Sequence, residues 1–279
     1  MLPAALLAML LQDAPVFRAD VRLMTVPCAI TDARGIAVRD LKPDEFRLYD
    51  NGVLQQIRNV WIDRDLPLML GAILDASASQ RAFLREHQDA VQQFQTRMMR
   101  PQDRSFVAWV NEAVILKSET HGPRQVFLPR GGELLGEPCP KVRGRSFCGG
   151  TALWNAVYAA AHLKMQSFDG SKALVILSDG NDTGSIRSLQ EALDELHRAG
   201  IVVYVIRYPD PLTAKSDSGL QRLATETGGL LFDPPGADYA PILERIEADL
   251  RSHYVLGFQP AAEKHQLKVE VTRPGVTVR

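Results

Sequence analysis

Between residues 65 and 252 the chain alternates two hydrophobic patterns. Unbroken apolar runs, Leu68–Leu74, Lys172–Leu177 and Ile201–Ile206, read as strands buried on both faces, the signature of a parallel sheet. Between them, apolar positions recur every three or four residues. Phe83, Leu84, His87, Val91, Phe94 and Met98 share one face of a helix predicted over Gln80–Met99, with His87 read as a packed core histidine. Further helices are predicted over Ala152–Met165, Ser188–Ala199, Gly219–Thr227 and Tyr239–Ser252. Ser105–Val110 and Ala113–Leu116 read as a hairpin at a sheet edge, and Gly229–Phe232 as a short strand. Such alternation predicts a doubly wound, mostly parallel, Rossmann-like α/β domain over residues 65–252.

The flanks read as β. Phe17–Val26 alternates loosely, Pro27 follows, and Cys28–Thr31 continues the extended run. Asp50-Asn51-Gly52 is a strong hairpin turn between Phe46–Tyr49 and Val53–Trp61. A β-unit over residues 16–64 is too small to build a core alone. Strands predicted at Tyr254–Phe258, Gln266–Thr272 and Val276–Val278, within residues 253–279, would complete it as a small β-sandwich made from both ends of the chain.

Residues 1–15 open with an apolar stretch, Met1–Leu11, too short to span a bilayer but suited to a secretory signal, so the expectation is an exported protein, periplasmic or secreted. No other segment predicts a membrane span. A formal net charge of −1 and no basic run with interleaved aromatics remove the case for nucleic acid. The long Gly- and Pro-rich stretch Thr120–Gly150 carries Cys139 and Cys148, and two readings stay open: a disulfide closing a short loop in an exported chain, or two free thiols. Cys28 reads as a core residue. Arg143 and Arg145 in the same stretch read as surface charge that could attract an acidic partner.

Three short stretches carry candidate chemistry. Asp75-Ala-Ser77-Ala-Ser79 follows the first buried strand. Gly149-Gly150-Thr151 opens the helix at Ala152, and Asp179 follows the second buried strand. In open α/β sheets, ligands sit beyond the carboxyl ends of the strands. For the first stretch alone, a Ser/Asp helix cap is the plainer alternative. Taken together, Asp75, Asp179, Ser77, Ser79 and Thr151 supply two carboxylates and three hydroxyls, a hard-oxygen set suited to Mg²⁺, with Mn²⁺ or Ca²⁺ as variants. No Cys or His joins them, which argues against zinc or copper. Asn181 and Asp182 read as a solvated turn with a possible supporting role.

The five positions, in this order and on these elements, resemble the metal-ion-dependent adhesion site (MIDAS) of von Willebrand factor type A (VWFA) domains, over roughly Leu68–Ser252. The flanking Thr31-Asp32-Ala-Arg-Gly35, Leu41–Gly52 and His253-Tyr-Val-Leu-Gly-Phe258 resemble the bacterial VWFA-related proteins abundant in Acidobacteria. That resemblance implies a non-enzymatic adhesion module. Ser77, Ser79 and Thr151 would meet the cation through hydroxyls, with Asp75 and Asp179 direct or through water. An Asp or Glu of a protein partner would complete the coordination. The oligomeric state is not implied.

The rival reading is a Mg²⁺-dependent phosphatase of the haloacid dehalogenase type, which also places an Asp after its first strand. That chemistry wants a second Asp where Ser77 stands. No P-loop, G-x-G-x-x-G or G-x-S-x-G is present, so nucleotide and hydrolase readings lack their anchors. Asp182-Thr183-Gly184 spells the aspartic-protease triplet, but that chemistry needs two such carboxylates and only one is here.

Overall fold

The computed structural model describes residues 23–33, 36–63, 65–116, 119–122, 141–142, 145–146, 150–208, 217–234, 236, 238–260 and 265–278. The expected signal segment, the Cys139–Cys148 pair and Gly149 lie outside these residues. The chain begins with strands β1 (Met24–Asp32), β2 (Phe46–Asp50), β3 (Val53–Gln55) and β4 (Ile57–Asp63). Next come β5 (Leu68–Asp75), helix α1 (Leu84–Gln93), β6 (Arg104–Val110), β7 (Val114–Leu116) and β8 (Thr120–His121). A short ribbon, β9 (Lys141–Val142) and β10 (Arg145–Ser146), precedes α2 (Leu153–Ala159). Strand β11 (Ser171–Ser178), α3 (Leu189–Ala199), β12 (Val202–Arg207), α4 (Asp217–Glu226), β13 (Leu231–Phe232) and α5 (Ala240–Leu250) follow. The chain closes with β14 (His253–Phe258), β15 (Leu267–Val271) and β16 (Val276–Val278).

A seven-stranded sheet in the order β13-β12-β11-β5-β6-β7, with β8 also on β6, forms the centre of the α/β unit. β5, β6, β11, β12 and β13 run parallel, and β7 and β8 are antiparallel additions to β6. Every residue of β5 is buried, because strands flank it on both edges and helices cover both faces. α1 and α5 cover one face, and α2, α3 and α4 the other. Gly71 lets the neighbouring strands close over β5: a Cβ there would stand 2.5 Å from the side chains of both Leu174 and Phe106. From β5 the chain moves outward to β6. It then returns to β11 on the other side of β5 and moves outward again to β12. The sheet therefore switches direction between β5 and β11.

The ends of the chain build a second unit. The sheet β16-β1-β14-β4 and the sheet β15-β2-β3 share one core of Val26, Ile30, Leu41, Phe46, Leu48, Leu256 and Phe258. First- and last-strand segments thus pair directly, β1 with β14 and β16, and β2 with β15. Cys28 is buried in this core, and its burial pushes the thiol up to about 12.

Two sequence expectations change. Gln80–Met99 is not one α-helix: a 3-10 turn at Arg81–Phe83 leads into α1, and a π-helical turn at Phe94–Met98 ends it. The Ala152 helix likewise passes from α2 into a π-helical stretch, Ala160–Met165. The extended run continues through Pro27 inside β1, as its flanks suggested. The proline pairs opposite Val255 of β14, while β16 contacts β1 only at Ile30–Asp32, so the missing amide hydrogen removes no ladder bond on that edge. Among the described residues no helix is long and apolar enough to cross a membrane.

Candidate cation site

The carboxyl ends of β5 and β11 lie side by side, in register at Leu74 and Leu177. Asp75 ends β5 fully buried, opposite Val110 of β6, and the Ala76 amide still donates to the Val110 carbonyl at 2.8 Å. Beyond Ala76 the chain bends sharply, and Asp75 closes the bend on itself: its Oδ1 accepts from the Ser77 amide at 2.9 Å. Its Oδ2 accepts from Ser178 Oγ, the last residue of β11, at 2.5 Å. The two strand ends are therefore joined through this carboxylate.

Ser77 and Ser79 are half-buried, and their hydroxyl oxygens stand 3.0 Å apart. The capping alternative does not hold. Neither Gln80, before the 3-10 turn, nor Phe83, before α1, makes a side-chain capping bond; Asp75 meets Ser178 of β11, and the Ser77 and Ser79 hydroxyls meet each other.

Asp179 is almost fully buried, and its Oδ1 accepts from the Asn181 amide at 2.9 Å. Gly180 takes the turn in the left-handed region at φ 81°, which a side chain would oppose. Its amide donates to Ser178 Oγ at 2.9 Å. Ser178 thus links the Asp75 carboxylate to the loop that carries Asp179.

Thr151 reaches the same edge by backbone bonds. Its amide donates to Thr183 Oγ1 at 3.1 Å, and its carbonyl accepts from the Thr183 and Gly184 amides, each at 3.0 Å. On its other side the Ala152 amide donates to the Asn111 carbonyl at 2.8 Å, so the segment is threaded between the β6 turn and the β11 loop. This packing explains Gly150: a Cβ there would overlap Thr183.

Asp182 departs from its reading as a solvated turn. Its Oδ1 accepts from the Trp154 amide at 3.1 Å and from Ser185 Oγ at 2.5 Å, and Ser185 Oγ accepts from the Asn155 amide at 3.0 Å. Two residues distant in sequence thereby cap α2, the helix behind Thr151. Sequence reasoning missed Ser178, Thr183 and Ser185. Ser178 was the accessible one, a hydroxyl at the very end of an apolar strand. Thr183 and Ser185 had no signal of their own, because their partners lie about thirty residues away.

Electrostatics single out Asp75. Burial pushes its carboxyl up to about 6, hydrogen bonds from Ser178 and Ser77 oppose the rise, and the neighbouring Asp179 charge adds to it. Among the described residues no cation contributes to balancing Asp75. Behind it, His87 is buried in α1 with its ring 4.5 Å from that of Tyr208, and burial holds it down at about 4, so it is a neutral packing group, as expected from its place on the apolar face. Among the described residues no cluster of three or more His, Cys, Asp or Glu side chains could hold a metal ion. A cation at this edge would depend on hydroxyl oxygens as well as on the two aspartates. The donor chemistry fits a hard cation: all five groups offer oxygen, and one buried carboxylate meets no compensating cation among the described residues.

No family model matches the chain, and no curated protein sequence matches it. Among solved structures it is similar in part to proximal thread matrix protein 1 from the mussel byssus, with 13% identity and a TM-score of 0.48 over 72% of this chain and 49% of that one. The chain thus spans about half the length of the mussel protein. It is also similar to an aerotolerance-related membrane protein from Bacteroides fragilis, with 16% identity and a TM-score of 0.45 over 66% of this chain and 98% of that one. BatB from Bacteroides thetaiotaomicron gives 14% identity and a TM-score of 0.46 over 66% and 100%. At these scores the likenesses identify neither a family nor a function.

Proposed function

We propose that the chain is a cation-dependent protein-binding module of the von Willebrand factor type A kind, an adhesion or interaction domain rather than an enzyme. The observation that supports this reading is the placement of the chain around the switch point of the sheet: Asp75, Ser77 and Ser79 follow β5, Asp179 follows β11, and Thr151 is threaded between the β6 turn and the β11 loop, all at the edge where open α/β sheets usually bind ligands. Mg²⁺ is the expected cation, with Mn²⁺ or Ca²⁺ as substitutes. When bound, it would supply an electrophilic centre for an Asp or Glu carboxylate of a partner protein. The protein's own contribution is to hold the five oxygens at the rim: Ser178 fixes Asp75, and the Asp182 loop fixes Thr151. Export of the chain and the boundaries at residues 16–64, 65–252 and 253–279 belong to the same proposal.

The test uses Mn²⁺ as a probe, followed by electron paramagnetic resonance and calorimetry, with capture of partners in Mg²⁺ and in EDTA as the second readout. Asp75→Asn keeps the shape of the side chain and the acceptor for the Ser77 amide, and replaces the acceptor of the Ser178 hydroxyl with a donor. It should weaken Mn²⁺ binding at least tenfold and abolish EDTA-sensitive capture while leaving the fold intact. Equal Mn²⁺ binding by Asp75→Asn and wild type would remove the site. Cation-dependent hydrolysis of p-nitrophenyl phosphate that is lost in Asp75→Asn would transfer the site to a phosphatase.

A further inference from the structure

At the opposite end of the parallel sheet, about 20 Å along the strands from Asp75, a cleft of about 720 Å³ opens between the α/β unit and the β-sandwich. Its walls are largely apolar, with Pro27, Trp61 and Val255 on the sandwich side and Leu66, Ile201 and Leu250 on the other. Volume, apolar lining and a position between two units are the usual attributes of a small-molecule site. The charged groups in the wall decide what could enter.

Each acid there already has a partner. Asp63 Oδ1 accepts from the Asp65 amide at 2.9 Å, Glu226 pairs with Arg222 at 2.7 Å, and Asp249 accepts from the Tyr204 hydroxyl at 2.5 Å. The histidines are engaged too. His197 Nε2 stands 2.9 Å from the Glu226 carbonyl, and His253 Nδ1 is 3.5 Å from Ser171 Oγ. The Cys28 thiol, with its ionisation pushed up to about 12, stays neutral.

Lys172 is different. It stands at the start of β11, opposite Met69, half-buried in the cleft wall, and forms no ion pair or hydrogen bond among the described residues. Burial lowers its ionisation, and the Asp169 charge supports it from beyond ion-pair distance. A half-buried lysine in the wall of a largely apolar cleft, with desolvation opposing its charge, is an arrangement that an incoming anion would relieve.

We propose that this cleft binds an apolar organic anion, specifically a medium-chain carboxylate. Its chain would lie among Pro27, Trp61 and Val255, and its carboxylate would meet the Lys172 ammonium. A neutral chain of equal length has only the apolar walls to bind. An organic cation would meet Lys172 with no unengaged acid to offset it.

The probe is decanoate, titrated calorimetrically into the full chain in EDTA, with decanol as its neutral counterpart. Wild type should bind one decanoate saturably and more tightly than decanol. Lys172→Met should weaken decanoate about tenfold and leave decanol unchanged, while Lys172→Arg should stay within about threefold of wild type. Thermal melts of both variants establish that they fold, and Asp75→Asn should bind decanoate as wild type does, which separates this site from the cation site. Absence of saturable binding at millimolar decanoate would overturn the proposal. So would a folded Lys172→Met that binds decanoate as tightly as wild type.

Discussion

Two aspartates sit fully buried at opposite ends of the same sheet, and the protein treats them differently. Asp103 lies at the amino edge, just before β6. It is ion-paired with the nearly buried Arg251, and its oxygens also accept from the Leu68 amide at 2.8 Å and the Arg100 amide at 2.7 Å. Asp75 lies at the carboxyl edge. It has amide and hydroxyl donors but no cation among the described residues, and Asp179 adds a second negative charge beside it. Desolvating a carboxylate costs several kcal/mol unless a charge compensates it. At Asp103 the chain supplies that compensation. At Asp75 the described residues supply none, which on the proposed reading distinguishes a structural aspartate from one kept for binding.

The sharpest way to break this contrast is to remove the compensating charge. Arg251→Met leaves Asp103 buried without its cation, and urea unfolding should show a loss of about 3–5 kcal/mol. Asp75→Asn in EDTA should cost less than about 1 kcal/mol or add stability, since it removes an uncompensated charge. Equal losses would mean that the two sites are both structural.

The next effect is in pH. The folded-state ionisation of Asp75, at about 6, lies above its ordinary value of 3.8, so the folded protein holds the proton more tightly than the unfolded chain does. Stability from this group is full below about pH 4 and is lost as pH rises through about 6. The total is at most about 3 kcal/mol. Comparing wild type with Asp75→Asn in EDTA across that window isolates the contribution. A difference independent of pH would refute it, and Mg²⁺ should flatten the curve by favouring the ionised form.

The smallest effect concerns the scaffold. Asp182→Ala removes the cap on α2 and should lower stability by about 1 kcal/mol, with a weaker Mn²⁺ affinity because Thr151 loses its brace. Unchanged Mn²⁺ affinity would restrict Asp182 to a structural role.

Some of the architecture was legible residue by residue. The Asp50-Asn51-Gly52 turn places Asn51 at φ 51° and Gly52 at φ 79°, the left-handed pair that this dipeptide favours in a two-residue hairpin. Helix α3 carries its own boundaries: Ser188 and Glu191 form a capping box, and Gly200 ends the helix at φ 66°. The apolar runs of β5, β11 and β12 announced strands buried on both faces. The π-helical turns after α1 and α2 were not legible, because the apolar spacing through Phe94 and Met98 continues the helical face.

The sequence by itself determined the kinds of element and the chemistry at their ends, because periodicity, turn residues and hydroxyl or carboxyl side chains are local properties. It placed Asp75, Ser77, Ser79, Thr151 and Asp179 at strand ends or at a helix start. Tertiary structure decided which strand ends meet. Ser178 and Asp75 are 103 residues apart, and Arg251 and Asp103 are 148 apart. Whether a buried aspartate finds a protein cation or is left without one depends on those long-range neighbours, and no local pattern encodes them.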